Sequence, residues 1–477
     1  MNKTAKNSII YLSGTIVMGL LGFVNTMLLT RILSQQVYAM YGLLTTFVTA
    51  ADMFVAFGYD QSYMRFYYSH DRSPRGFLWE CLKVPLVLFG VLALVLLEPG
   101  QHLVRYVFED KLPLIALLGL VAQILFSSAH RFTQLTARMG EFAGNYVFSN
   151  ILSKSGFIGL LLVVWLIHKS VAFEWVVLSF AVMAALSTAV NLVVLRKIGA
   201  HRNPEGKSVN NKELFRYGFP YMLNNVIVLL IPVLEKVIIR DLAGWEVLSI
   251  FTAASIFQTV VTLLNNTLIN IWNPIVYKHC EDEATLKPIL HTFGLAGTTI
   301  LALGTAACIL LRRWLVLLLD EKYFSVYIIA PVILLASCFN ILSTIYSVGI
   351  NIRKKTVHLV IAPIIQIAIS VVLCYLLIPS MGLIGVGIAI LCSIGVARGY
   401  RILVGLHYYN TGRLELKALL TCIFCTAAAV ASMFLTSLTS DVAISVALLA
   451  VSCIVMNKEL ISTARTVRAL VGKDRKN

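Results

Sequence analysis

A few charged and amide side chains stand in surroundings that are otherwise almost wholly apolar, and these are the residues with chemistry to offer. Lys154 is about eight residues into one apolar segment, roughly 12 Å deep at 1.5 Å per residue. Glu235 and Lys236 adjoin in a second, just after Pro232, and Asp52 lies in a third. A charge at the centre of a bilayer costs about 2.5–3.5 kcal/mol on insertion scales, so each is expected to face protein or water. Buried ammonium groups suit an anion, whereas Asp52 or Glu235 suits a proton or Na⁺. Around segment 249–271, Ser255, Gln258, Thr259, Thr262, Asn265, Asn266, Asn270 and Asn273 fall within an arc of about 140° at 100° per residue. Such a stripe suits the lining of a wet lumen. The alternative is interhelical hydrogen bonding, worth about 0.6 kcal/mol per contact. Segment 37–57 and the residues after it carry a thinner version in Tyr41, Thr45, Thr49, Asp52 and Tyr59. Pro232 removes a backbone donor beside the charges, which suits either a hinge or a fixed kink.

Other motifs dissolve on inspection. Gly206-Lys207-Ser208 resembles the end of a phosphate-binding loop, but that loop needs glycine where His201 stands, and no strand precedes it. Cys422 and Cys425 have CxxC spacing inside an apolar segment without a second pair, so packing is the simpler reading. Eight of the nine cysteines, all but Cys280, lie in or at the ends of apolar segments, where they behave as small hydrophobes. The histidines are scattered singly, and neither a metal site nor a cofactor is expected.

The elements that must position these groups are membrane spans. Fourteen apolar segments fill the chain, at 8–29, 37–57, 82–97, 112–132, 146–167, 171–195, 217–239, 249–271, 289–311, 328–350, 359–378, 381–403, 414–435 and 442–456. A span needs about 20 apolar residues, because the hydrocarbon core is roughly 30 Å thick and backbone polar groups must pair internally. The mean hydropathy of +0.84 and the 58% hydrophobic content agree with that segmentation. The first segment lacks a small-residue cleavage site and reads as a retained span.

A net charge of +16 could suggest nucleic acid, but position decides. With both termini cytoplasmic, 29 of the 39 Lys and Arg fall at nominal inside ends and nine outside, with Lys154 within a span, as the positive-inside rule expects. The basic runs Arg353-Lys354-Lys355 and 196–216 then favour anionic head groups, and no aromatic-interleaved basic face remains for nucleic acid. The outside pair Arg312-Arg313 fits the rule poorly. The longest connection, 196–216, holds only Glu205 and Glu213 as acids, too little for an integral-membrane glycosyltransferase or polymerase, and a non-transporting scaffold would leave the polar stripe without a use.

Residue n of the first half aligns with n+209 of the second. LLTRILSQQVYAMYGLLTTF from Leu28 lies over VIIRDLAGWEVLSIFTAASIF from Val237, matching Arg31 to Arg240, Leu33 to Leu242, Thr46 to Ser255 and Thr49 to Gln258. The first two spans thus mirror the seventh and eighth in parallel, and the last two lie outside the repeat. Transporters are often built from two related halves. This pattern of six spans plus six plus two, with the segments 28–42 and 234–251, resembles the polysaccharide-transporter branch of the MOP flippase superfamily. Members commonly carry an acidic-basic pair in the seventh helix, matched by Glu235-Lys236. They also carry a Gly-x-Tyr near the start of the second and eighth helices, which here reads Ala39-Met40-Tyr41 and Leu248-Ser249-Ile250, so the second copy is lost.

The resemblance implies an all-α protein of two six-helix bundles around a central cavity, at 1–200 and 213–410. A cytoplasmic linker at 201–212, two accessory helices in 411–457 and a basic cytoplasmic tail at 458–477 complete it. It implies a non-enzymatic flippase of the bacterial cytoplasmic membrane that moves undecaprenyl-diphosphate-linked oligosaccharide outward by alternating access, with H⁺ or Na⁺ coupling through Asp52 or Glu235. Lys154 and Lys236 would take the diphosphate, Arg31 and Arg240 would be outer contacts, and Arg131 and Arg138 inner ones. Gln258, Asn265, Asn266, Asn270 and Asn273 would meet the sugar. The plainer alternative pairs Lys236 with a neighbouring carboxylate and lets the arginines snorkel to the interface. Partners would be the lipid-linked oligosaccharide, membrane lipids, and a polysaccharide polymerase and glycosyltransferases. A lipid II flippase and a cation-coupled multidrug exporter of the same superfamily are the alternatives.

Overall fold

The computed structural model describes residues 3–68, 73–98, 101–108, 113–197, 210–279, 283–353, 355, 357–409 and 416–452. The expected linker at 201–212 falls largely, and the basic tail at 458–477 wholly, outside the described residues. The helices are α1 (Lys3–Ile32), α2 (Gln35–Ala56), α3 (Tyr59–Phe66), α4 (Pro74–Leu97), α5 (Gln101–Phe108), α6 (Leu114–Met139), α7 (Ala143–His168) and α8 (Phe173–Lys197). They continue with α9 (Asn211–His279), α10 (Glu283–Val316), α11 (Val326–Tyr346), α12 (Val348–Ile352), α13 (Val357–Met381), α14 (Leu383–Tyr408) and α15 (Leu416–Phe434). A final helix, α16, spans Leu438–Ser452. The described residues contain no strand.

Twelve of these helices are long and apolar enough to cross a membrane. The difference from fourteen segments has a local cause. The seventh and eighth segments are two helices that meet without a loop at Gly244, at φ 80° and ψ 179°, and α9 denotes the pair as one continuous stretch. That region of backbone space is essentially open to glycine alone, so one residue turns the chain where a loop was expected. The fourteenth segment, α16, is a shorter apolar helix. Large apolar side chains point outward along the spans, as at Leu94 (69% exposed) and Ile167 (68%), which suits a hydrocarbon surround. The protein is thus a multi-pass membrane protein.

The chain forms two compact units, Met1–Val237 and Ile238–Asn477. In the first, α6 packs along α8, α8 against α7, and α7 against α1. A cluster of Tyr59, Tyr63, Tyr67, Phe77, Cys81, Phe132 and Leu214 joins α3, α4, α6 and the first turn of α9. Tyr63 stacks on Phe77 at 5.4 Å and hydrogen bonds Thr136 at 2.8 Å. Ser73 caps α4, its hydroxyl accepting from the Gly76 amide, with Pro74 at the first position. That cap starts the third span eight residues before its apolar core, through charges that the hydropathy pattern had excluded. In the second unit α13 packs along α14, and α11 lies between α10 and α14.

The pair α15–α16 is anchored to this second unit by Arg312, near the end of α10 and fully buried. Its Nε donates to Asp441 Oδ2 (3.1 Å) and its Nη2 to Asp441 Oδ1; Nη1 donates to the Ser432 (2.5 Å) and Tyr327 (3.4 Å) carbonyls, and Nη2 also to Leu435 (2.9 Å). All five guanidinium protons are used. Arg313 adds a contact to Asp441 at 3.2 Å, and both arginines lie over the Tyr327 ring. The arginines that fitted the charge rule poorly are therefore a structural clamp.

Candidate functional site

In the first unit the second span ends at Phe57 and Gly58, both left-handed at φ 47° and 76°. A Cβ on Gly58 would lie 2.0 Å from the Gly218 carbonyl oxygen, so glycine is needed for this close approach to α9 as well as for the turn. The turn redirects the chain into α3 and brings Asp60 toward Asp52. Between them sits Arg131 of α6, which donates to Asp52 Oδ2 from Nε (2.8 Å) and Nη2 (2.6 Å) and lies 3.7 Å from Asp60. Ser128, one turn earlier, donates to Asp52 Oδ1 at 2.8 Å. Both carboxylates are buried, so one guanidinium neutralises two acids that alone would repel. His130 faces another way, hydrogen-bonded to Gln134 (2.8 Å) and Asn191 (3.4 Å).

Lys236 is 8% exposed, and its ammonium donates to the Gly42 carbonyl and to Thr46 Oγ1, each at 2.7 Å. Thr46 itself donates to the Gly42 carbonyl at 2.9 Å. Neutral groups of α2 thus accept two of the ammonium's three donors. Glu235 beside it is buried. Pro232 lies one helical turn earlier in α9.

The remaining expected residues are dispersed. Lys154 is exposed, with Nζ 3.3 Å from the Met18 carbonyl, while its own carbonyl accepts from Asn25 at 3.1 Å. Arg31 and Arg138 are exposed in the last turns of α1 and α6. In the second unit Arg240 is buried, bonded to Asp241 at 2.9 and 2.5 Å and lying 5.7 Å from the Trp245 ring centre. Along the α9 stripe Gln258, Thr259, Thr262 and Asn266 are exposed, while Asn265 accepts from Thr344 of α11 at 3.1 Å. The side chains of Asn270 and Asn273 lie outside the described residues.

Two groups were missed by sequence reasoning. Arg131 and Asp52 were given separate roles and Asp60 none, because the three are distant in sequence and the Phe57-Gly58 turn is what brings Asp60 to the other two. Arg398 and Arg401 were counted with the inside charges next to the twelfth span, yet both belong to α14. Their spacing of three on a helix was the available signal. Among the described residues no group of three His, Cys, Asp or Glu is placed to hold a metal.

Two units of apolar helices, with buried cations held by polar neighbours, define a polytopic membrane protein. The fold agrees. It is similar to "Lipid II flippase MurJ, inward closed conformation", with a TM-score of 0.68 at 15% identity over 95% of this chain and 100% of that one. It is similar also to the inward-facing conformation of a multidrug resistance MATE family transporter of the MOP superfamily, with a TM-score of 0.64 at 13% identity over 85% and 99%. A family model described as "Polysaccharide biosynthesis protein" matches residues 4–278, more than half of the chain, and the protein belongs to that family. Among curated proteins none matches the sequence.

Proposed function

We propose that this protein is a flippase for undecaprenyl-diphosphate-linked oligosaccharide repeat units, working in the bacterial cytoplasmic membrane during O-antigen, capsule or exopolysaccharide synthesis. The observation that carries the reading is Lys236, a buried ammonium held by neutral acceptors of α2 in a chain of the polysaccharide-biosynthesis family. A sugar-diphosphate head is anionic and rich in hydroxyls, and its passage through hydrocarbon without such groups is very unfavourable. Lys236 and Lys154 serve the diphosphate, with Arg31, Arg240 and Arg138 as further cations along the route and the α9 amides, Asn270 and Asn273 included, for the hydroxyls. Arg131 joins them only when Asp52 is released. A proton or Na⁺ on Asp52 loosens its hold on the guanidinium, which the phosphate then takes, so ion binding favours substrate binding. Glu235 is a second carboxylate for the ion, and Pro232 is the hinge for alternating access. Both termini face the cytoplasm, where a polymerase and glycosyltransferases are the functional partners.

A lipid II flippase is the second reading, favoured by the fold similarity to MurJ over nearly the whole chain. Removing the protein from its host separates the readings. Loss of surface polysaccharide with lipid-linked repeat units accumulating inside supports the proposal. Accumulation of lipid II with intact polysaccharide moves it to the second reading, and altered resistance to cationic drugs alone refutes both.

A further inference from the structure

The two units treat their arginines differently. With the 209-residue offset, Arg131 of the first unit corresponds to Asn340, and its acids Asp52 and Asp60 correspond to Val261 and Ile269. The second unit has therefore no carboxylate at the positions that neutralise Arg131. It carries instead two arginines on α14, Arg398 and Arg401, at positions that are Ala189 and Leu192 in the first unit. Arg398 donates from Nε to Asn340 Oδ1 at 2.6 Å and from Nη2 to Gln366 Oε1 at 3.5 Å. Arg401 donates from Nη2 to Ser347 Oγ at 3.3 Å, and its Nε is buried with no hydrogen-bond partner. Among the described residues no carboxylate lies within ion-pair distance of either.

Two half-buried like charges one turn apart repel, and neutral acceptors leave their charge uncompensated in a low-dielectric setting. The unpaired Nε–H of Arg401 is an unmet buried donor. Arg401 is about 10 Å from the α14 C-terminus at 1.5 Å per residue, where Arg353 donates to the Tyr408 carbonyl at 3.2 Å. The arginines thus lie about two to three turns before the end of α14, where Arg353 adds a third positive charge. Guanidinium forks match phosphate oxygens bidentately and remain charged at any physiological pH.

We propose that Arg398 and Arg401 form an anion site of the second unit that takes a phosphate-bearing head group, with the diphosphate linker of the transported lipid as its ligand. The identity of the lipid rests on the flippase reading; the site itself does not. Where the first unit compensates its arginine internally, the second leaves that task to the ligand.

The test is binding of inorganic pyrophosphate and of undecaprenyl diphosphate to full-length protein in phosphatidylcholine nanodiscs, with phosphatidylglycerol nanodiscs as the comparison. Asn340→Asp places a carboxylate against Arg398 and supplies the missing anion. It is expected to raise the melting temperature of ligand-free protein and to weaken both diphosphate ligands about tenfold or more, equivalent to about 1.4 kcal/mol or more. Arg401→Gln is expected to weaken them similarly while keeping a monodisperse elution profile. If instead only the effect of phosphatidylglycerol is lost, the site stands and its ligand is the bilayer head group. Unchanged affinity for all three anions in both variants overturns the site. Weakened binding in a protein that flips no lipid-linked oligosaccharide would sink the flippase reading and leave the site in place.

Discussion

Breaking the Arg312–Asp441 clamp tests whether the last two helices are held to the second unit by a buried charge pair. Both side chains are 0% exposed, and Arg312 uses all five N–H donors, two on Asp441 and three on the carbonyls of Tyr327, Ser432 and Leu435. Asp441→Leu leaves the guanidinium with three neutral acceptors and no counter-charge, and loss of one partner of such a pair costs about 3–5 kcal/mol. Arg312→Met leaves Asp441 with Arg313 still 3.2 Å away, so its cost falls near the lower end, about 3 kcal/mol. The double variant removes both charges together. It should be less destabilised than the sum of the singles by about 2 kcal/mol or more, because neither charge is then orphaned. For a unit of this size about 2–4 °C accompany each kcal/mol, so Asp441→Leu should lower the melting temperature, followed by intrinsic fluorescence in nanodiscs, by about 6 °C or more. Arg312→Lys should not rescue, since one ammonium cannot serve five acceptors. Single variants melting within about 2 °C of wild type, or strictly additive effects, would refute the clamp.

Three further outcomes follow from the first unit and from α9. Asp52→Asn should leave Arg131 facing Asp60 alone, at 3.7 Å, and therefore more available, so that diphosphate binding tightens and transport loses its dependence on an ion gradient; transport still driven by the gradient in that variant removes Asp52 from coupling. Gly244→Ala should destabilise the protein by about 1–3 kcal/mol, the usual strain of a side chain in that backbone region, read as a lowered melting temperature; wild-type stability would mean the turn tolerates a Cβ. Pro232→Ala should slow transport in proteoliposomes while leaving pyrophosphate binding intact, and unchanged transport would eliminate the hinge.

The membrane architecture was legible because a span announces itself by composition over about 20 residues. What stayed hidden depended on single residues. Gly244 separates the seventh and eighth spans by its own backbone conformation, with no loop between them, which hydropathy does not record. Pro74 and the Ser73 cap extend the third span back through Arg75 and Glu80, charges that break the apolar pattern without breaking the helix. Lys236, Asp52 and Arg131 were recognisable one by one, since charges in apolar segments are rare. Their partners were not, because Gly42, Thr46, Ser128 and Asp60 are brought close only by packing across helices. Arg312 and Arg313 defied a rule about loops because they are not in a loop; they sit within α10 and meet Asp441 from beyond α15.

The measurement that bears most directly on function is the rate at which undecaprenyl-diphosphate-linked oligosaccharide crosses the bilayer in proteoliposomes, for wild type, Lys236→Ala and Lys154→Ala at matched protein density. The account predicts flipping by wild type and its loss in Lys236→Ala, with a smaller defect in Lys154→Ala because that ammonium is exposed and held only by the Met18 carbonyl. Equal rates in all three proteins would contradict the cationic route. A wild type that leaves this lipid in place yet extrudes cationic dyes under an ion gradient would contradict the proposed substrate.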